Sequence, residues 1–200
     1  MSVRPDIVSA RRLHQYTYDA YLEHESSSNV KHEYLDGEIY AMAGGTLEHA
    51  ALAMNVGAAL VGALRGKPSI VASSDLKVRV EATGLATYPD VTVLCGEPKR
   101  DAKSRDVLLN PTLVVEVTSD STEDWDRGEK LEHYRQIPSL KEHVLVSHRT
   151  RRIEVLRRGE DGSWLAIAAG PGEILELTSV GCSLDVTDVY RNVEVMQARE

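Results

Sequence analysis

The chain has 200 residues, of which 42% are hydrophobic and 27% are charged, and its formal net charge is −8. This balance fits one folded domain over residues 1–200. The longest apolar stretch, residues 50–64, is too interrupted for a membrane span, and the start of the chain lacks the apolar core of a signal peptide. Phosphate contacts need a basic surface, so the acidic balance argues against general, avid binding to nucleic acid. We therefore expect a cytoplasmic protein without a membrane segment.

The two cysteines, Cys95 and Cys182, lie far apart in the sequence and lack the spacing of metal ligands. This favours a reducing compartment and argues against disulfide bonds and a structural zinc site. We expect no function for either thiol.

One stretch departs from the acidic balance, because residues 149–158 contain five arginines and a single acid, Glu154. The arginines are either solvated side chains that protect an edge strand or contacts for phosphate. The sequence favours neither reading.

The first half of the chain alternates helices and strands. The predicted elements are a helix from Thr17 to His24, strands 32–35 and 38–43, a helix over 47–64, and strands 69–73, 76–80 and 88–94. The dipeptide Asp36-Gly37 suits a type I′ turn between the first two strands. On the long helix, apolar residues recur at spacings of three and four and predict one buried face, which consists of Ala50, Met54, Ala58 and Val61.

The second half contains the most apolar strand. The predicted elements are a loop over 96–110, a strand over 113–117, a helix from near Thr122 to about Ile137, a strand over 143–147, a hairpin of strands 152–158 and 164–168, and a strand over 174–177. The unit from 113 to 147 is a strand-helix-strand crossover. The fold class is therefore α/β, a mixed sheet flanked by helices with additional antiparallel hairpins. Its core covers about 31–158, and a hairpin and tail cover 150–200.

Glu116 is the single charge in the strand Leu113-Val114-Val115-Glu116-Val117. Alternate side chains of a strand share a face, and both faces here are otherwise apolar. A buried carboxylate needs a cation, a metal ion or strong donors beside it. Glu116 is therefore either half of a divalent-metal site or a partner in a salt bridge within the sheet.

Asp90 is a carboxylate near the start of a second apolar strand, in the segment Tyr88-Pro89-Asp90-Val91. If the two strands are neighbours, Asp90 and Glu116 converge at one edge and can bind Mg²⁺, which prefers oxygen ligands. The alternative for Asp90 is a solvated turn residue after Pro89.

Metal-dependent hydrolysis of a phosphodiester also needs a cation near the attacking water, and Lys130 is the candidate. The helix rises about 12 Å between Thr122 and Lys130, which retraces roughly four strand residues at about 3.3 Å each. Lys130 is then expected beside Glu116. Asp126 and Tyr134 lie four residues on either side of it, so the alternative is an exposed Asp126–Lys130 pair.

Four segments together resemble the Uma-two (Uma2) family of restriction endonucleases, which is placed in the PD-(D/E)XK nuclease superfamily. They are residues 32–42 (HEYLDGEIYAM), 88–91 (YPDV), 114–119 (VVEVTS) and 130–134 (KLEHY). The resemblance covers approximately residues 17–158. It implies a restriction-endonuclease-like core with Asp90 and Glu116 as metal ligands, Lys130 as a lysine that has migrated from the strand, and Glu33 as a further acid.

The sequence departs from the superfamily pattern at Thr118, where an E-x-K arrangement has lysine. Threonine supplies no charge, so activity depends on Lys130 reaching the site from its helix. Glu33 has an alternative reading as a cross-strand ion pair. His49 is either a proton carrier or phosphate contact, or a histidine that packs or caps the helix.

The leading hypothesis is a Mg²⁺-dependent endonuclease that acts on DNA, with Mn²⁺ as a substitute and with Asp90, Glu116, Lys130 and Glu33 as its site. A homodimer is expected, because cleavage of a duplex commonly pairs two sites. One alternative is a binding or regulatory protein that keeps the nuclease fold without catalysis. Another is a metal-dependent hydrolase of a small substrate, although no phosphate-binding loop or serine elbow supports it.

Overall fold

The computed structural model describes residues 15–42 and 44–195. Within these ranges the chain forms five helices and thirteen strands. The helices are α1 (Tyr18–Ser27), α2 (Leu47–Ala63), α3 (Glu123–Arg127), α4 (Glu129–Arg135) and α5 (Val186–Val189). The strands are β1 (His32–Leu35), β2 (Glu38–Ala41), β3 (Ser69–Ser73), β4 (Lys77–Arg79), β5 (Ala86–Thr87), β6 (Val91–Cys95), β7 (Val107–Leu108), β8 (Leu113–Val117), β9 (Glu142–Val146), β10 (Ile153–Arg158), β11 (Trp164–Ala169), β12 (Ile174–Leu177) and β13 (Cys182–Asp185).

Two sheets contain most of the strands. One has the order β2-β1-β5-β4-β7, the other has the order β11-β10-β9-β8-β6-β3, and β12 pairs with β13. In the larger sheet β8 and β9 run parallel and are connected through α3 and α4, whereas the other neighbours are antiparallel. The predicted α/β class, with a mixed sheet, flanking helices and antiparallel hairpins, is confirmed. No helix in the described ranges is long and apolar enough to cross a membrane.

The β1–β2 hairpin has the predicted turn. Asp36 and Gly37 have φ values of 50° and 83°, as a type I′ turn requires, and Leu35 pairs with Glu38 across it. The last residue predicted for the second strand, Ala43, lies outside the described residues.

The buried face of α2 differs from the predicted one. The helix begins as expected after Thr46, whose hydroxyl accepts the backbone N–H of His49 at 3.2 Å. Its core residues, however, are Leu52, Val56 and Leu60. The predicted face is turned outward, with Met54 71% exposed. Because this helix is apolar around most of its circumference, periodicity alone could not select the side that faces the sheet.

The single helix predicted to run to about Ile137 is two helices, and the break lies at Gly128. Gly128 has φ −104° and ψ −107°, outside the helical region. A Cβ atom at this position would lie 2.8 Å from the carbonyl oxygen of Asp124, a distance at which the backbone would have to shift. The break sets the direction of α4, which buries Lys130, Leu131 and Tyr134.

Strand β8 is buried on both faces. Leu113, Val115 and Val117 belong to the apolar core shared with α2. Val114 belongs to a second core that includes Tyr134. Because side chains alternate along a strand, Glu116 shares the face of Val114 and therefore points to the side covered by α4.

The basic stretch does not protect an edge strand, because β10 lies between β9 and β11. Arg157 pairs with the buried Glu142 at 2.6 Å. Arg149 pairs with Asp120 at 2.8 Å, and Arg158 donates to the carbonyl oxygen of Pro138 at 3.3 Å. These arginines therefore make contacts within the fold.

Candidate active site

The predicted site residues lie around one cleft of about 1170 Å³. The cleft adjoins the carboxyl end of β8, the start of β6, the first turn of α2 and the faces of α3 and α4. The ionisable residues that matter most in its lining are Glu33, His49, Asp90, Glu116, Asp126 and Lys130.

Lys130 is surrounded by carboxylates. Its Nζ atom lies 2.9 Å from Oε1 of Glu116, 3.2 Å from Oε1 of Glu33 and 3.4 Å from Oδ1 of Asp126. The Lys130 side chain is only 5% exposed. The lysine on the helix thus reaches the strand carboxylate, as the rise of the helix predicted, even though the helix is broken at Gly128.

Glu116 shares one oxygen between two donors. The hydroxyl of Tyr134 donates to Oε1 at 2.6 Å, and this is the oxygen that Lys130 contacts. Burial raises the pKa of Glu116 to about 8; Lys130 opposes this shift, while the negative charges of Asp126 and Asp90 add to it. Burial also opposes the charge on Lys130, yet Glu116 and the other anionic groups raise its pKa well above its ordinary value. The carboxyl groups of Glu33, Glu116 and Asp126, when all are ionised, therefore carry more negative charge than the single ammonium of Lys130 offsets.

Asp90 lies level with the end of β8, because β6 and β8 are antiparallel neighbours with Val91 opposite Val115. Its Oδ2 atom accepts the backbone N–H of Val117 at 2.7 Å and lies 3.4 Å from Nε2 of His49. The side chain is 15% exposed, so the alternative of a solvated turn residue is wrong. Asp90 and Glu116 thus line the same cleft from adjacent strands.

Glu33 reaches the cluster from the hairpin. Tyr40 lies opposite Glu33 in β2, so Glu33 has no cross-strand lysine as a partner. Glu33 forms its ion pair with Lys130 of α4. The hydroxyl of Thr87 also donates to Oε1 of Glu33. The hairpin is in this way connected to α4 through a buried ion pair.

Thr118, at the position where the superfamily pattern has lysine, is buried. Its hydroxyl forms a hydrogen bond with Nδ1 of His148 at 2.9 Å, and Nε2 of His148 lies 3.0 Å from Oδ1 of Asp120. The residue thus links the ends of β8 and β9 and supplies no positive charge.

Two members of the cluster were not predicted as site residues. From the sequence, Asp126 and Tyr134 share a helical face with Lys130 through a spacing of four residues, and the alternative for Asp126 is an exposed pair with Lys130. That reading is wrong, since Asp126 and Lys130 are 3% and 4% exposed. The spacing was the signal that could have identified them, once Lys130 was assigned to the site.

The donor chemistry of the cleft fits a hard divalent cation. Asp90 and Glu116 offer carboxylate oxygens, and the negative charges of Asp126 and Asp90 near Glu116 favour further positive charge there. Among the described residues, no three His, Cys, Asp or Glu side chains are arranged to hold a metal ion by themselves. Two carboxylates suit Mg²⁺, which commonly keeps several water ligands and takes others from a substrate phosphate.

The mixed sheet and the cleft, which is lined by Asp90, Glu116 and Lys130, are typical of a nuclease-like α/β protein. The model of the Uma2 family, described as "Putative restriction endonuclease", matches residues 18–187, and the chain belongs to this family.

Two curated relatives and a solved structure are similar to the chain. The chain is 39% identical to the "Uncharacterized protein slr1290" of Synechocystis sp. over 175 residues, which cover 88% of this chain and 91% of the relative. A second uncharacterized protein of that organism, sll1609, is 32% identical over 145 residues, covering 72% and 82% of the two chains. The crystal structure of a "putative nuclease belonging to DUF820" from Anabaena variabilis superposes with a TM-score of 0.67 at 14% identity, covering 82% of this chain and 91% of the other. The last comparison establishes the shared fold.

Proposed function

We propose that the protein is a Mg²⁺-dependent endonuclease that hydrolyses phosphodiester bonds of DNA in the cytoplasm, with Mn²⁺ as a substitute metal. The observation that supports this most is the 2.9 Å contact between Lys130 Nζ and Glu116 Oε1 in a cleft that also contains Asp90. The contact supplies, from a helix, the positive charge that Thr118 does not supply from the strand. Membership of the Uma2 family supports the same class of reaction.

Asp90 and Glu116 would hold the metal ion. When bound, the ion would favour deprotonation of a water molecule and offset negative charge that develops on the phosphate. Lys130 and Tyr134 both bind Oε1 of Glu116, which leaves Oε2 as the atom for the metal. The ammonium of Lys130 adds fixed positive charge close to the reacting phosphate, where a preorganised charge stabilises the transition state. Glu33 and Asp126 keep this ammonium in place.

The acidic cleft is compatible with a phosphate substrate only when cations are present. In the part of the chain that the structure describes, the lining of the cleft contains five carboxylic acids against two lysines and two histidines. Electrostatic repulsion of DNA by the metal-free cleft explains how an acidic protein can have a nucleic acid as its substrate without binding it avidly. We therefore expect DNA binding to require a divalent cation.

We also propose that the protein acts as a homodimer, because cutting both strands of a duplex pairs two sites. The outward face of α2 offers apolar surface beside the cleft for a second copy: Leu47, Met54 and Val61 are 80%, 71% and 54% exposed, and Met54 and Val61 also line the cleft. Sedimentation velocity tests it, and a monomer at micromolar concentration contradicts it.

Nicking of supercoiled plasmid tests the proposed function. Wild type is expected to relax the plasmid with Mg²⁺ or Mn²⁺ and to be inactive in EDTA. Asp90→Ala should abolish nicking because a metal ligand is lost, and Lys130→Met should slow it by about 100-fold or more, as loss of a transition-state charge does elsewhere. Lys99→Met removes an exposed lysine that pairs with Glu81 away from the cleft, and it should retain wild-type activity.

Thermal melting of each variant separates loss of catalysis from loss of folding, since Lys130 is buried among acids. Metal-stimulated nicking that persists in Asp90→Ala contradicts the assigned site. A folded wild type that binds DNA but never cleaves it, with either metal, supports the alternative of a non-catalytic nuclease-fold protein.

A further inference from the structure

His49 is held at the rim of the cleft by the start of α2. The hydroxyl of Thr46 accepts the backbone N–H of His49, which caps the helix and fixes its first turn. The imidazole then extends towards the sheet, where its Nε2 atom lies 3.4 Å from Oδ2 of Asp90. The side chain is 20% exposed and lines the cleft.

The ring contacts the strand ends that present both carboxylates. Oδ2 of Asp90, which faces Nε2 of His49, also accepts the N–H of Val117, the residue that follows Glu116. The nearby carboxylate of Asp90 raises the pKa of His49 against the effect of burial, and the backbone of Val117 adds to the rise. A helix side chain thus bridges β6 and β8 at the proposed metal site.

Gly45 makes room for this ring. A Cβ atom at Gly45 would lie 2.8 Å from Nδ1 and 3.1 Å from Cγ of His49, so the imidazole would have to move. A Cβ atom at the neighbouring Gly44 would meet nothing within 4 Å. The two adjacent glycines therefore differ in whether an added Cβ atom would contact His49.

We propose that His49 is a positioning residue for Asp90: with the N–H of Val117 it fixes Oδ2, so that Oδ1 is presented to the metal ion, and Gly45 is the residue whose small size permits this. The inference rests on the proposed function, because it assumes that Asp90 binds metal. Partners that orient a metal ligand commonly change metal affinity by about 10–100-fold when they are removed.

Mn²⁺ affinity, measured on the full chain without nucleic acid by the electron paramagnetic resonance signal of free Mn²⁺, tests the role of His49. His49→Ala and Gly45→Ala should each weaken binding by about 10–100-fold. The double variant should bind no more weakly than His49→Ala, since both changes act through the same ring. His49→Gln, which keeps an N–H donor at a similar reach, should restore most of the affinity. Gly44→Ala should bind as wild type does.

Three results would overturn the inference. They are wild-type Mn²⁺ affinity in His49→Ala, a loss of affinity in Gly44→Ala as large as that in Gly45→Ala, and losses in Gly45→Ala and His49→Ala that add in the double variant. Asp90→Ala distinguishes this failure from failure of the proposed function. If wild type binds Mn²⁺ and only Asp90→Ala loses it, the positioning role alone is wrong. If wild type binds no Mn²⁺, the proposed metal site is wrong and the inference falls with it.

Discussion

At the scale of single residues, the proton on Glu116 determines how much negative charge the cleft carries. The ordinary pKa of its carboxyl group is 4.5, and burial raises it to about 8 in the fold. Between these values the folded protein holds a proton that the unfolded chain has released. Folding is therefore favoured less as the pH rises through this window.

We predict that the contribution of Glu116 to the stability of the metal-free protein is lost between pH 5 and pH 8, so that the stability of Glu116→Gln declines less, or rises more, over this range than that of wild type. The amide keeps the shape of the side chain but cannot ionise, so it removes the proton that the folded state binds in excess. Urea unfolding at several pH values measures the effect. The exposed Glu160→Gln is the matched control. Equal slopes for wild type and Glu116→Gln would contradict the raised pKa.

The sequence showed part of the site because two of its acids stand out locally. Glu116 is a lone charge among valines, and Asp90 begins another apolar strand. The contact of Tyr134 with Glu116, by contrast, joins residues whose distance depends on how α4 packs on the sheet. The contact of His49 with Asp90 likewise depends on how α2 packs against the larger sheet. The four-residue spacing places Tyr134 on the helical face of Lys130, but neither distance follows from a local pattern alone.

At the scale of elements, the break between α3 and α4 positions the lysine. The sequence predicted one continuous helix, because caps and acids mark its start near Thr122 and Pro138 marks its end. The break depends on the close approach of Gly128 to the carbonyl oxygen of Asp124, which a pattern of apolar residues cannot reveal. The outward face of α2 was likewise beyond prediction, since an apolar surface surrounds most of that helix.

We predict that Gly128→Ala destabilises the protein by about 1–3 kcal/mol and lowers nicking activity, because the added Cβ displaces α4 and Lys130 with it. Gly62→Ala is the control, since a Cβ atom at this position of α2 meets nothing within 4 Å and alanine favours a helix. Urea unfolding and plasmid nicking measure the two effects. A Gly128→Ala variant as stable and active as wild type would show that the break is not what places Lys130.

At the scale of the whole molecule, the site exists only when the two sheets and the helices are assembled. Glu33 belongs to the smaller sheet, Glu116 to the larger one, and Lys130 to a helix that contacts both through its ion pairs. Most strands were predictable from apolar runs and local alternation, and the turn at Asp36-Gly37 from its composition. The sequence did not predict β5, β7 and β13, and β7 lies in the segment 96–110 that was predicted as a loop. The docking of one sheet near the other was not predictable, because no short segment specifies it.

We propose that Asp90 and Glu116 hold one metal ion beside Lys130. Anomalous diffraction from a crystal soaked in Mn²⁺ tests this proposal. We expect an anomalous peak between the carboxylates of Asp90 and Glu116, with the ammonium of Lys130 still in contact with Glu116. A peak bound by other residues, or no peak at this position in a crystal whose cleft is open to solvent, would contradict it.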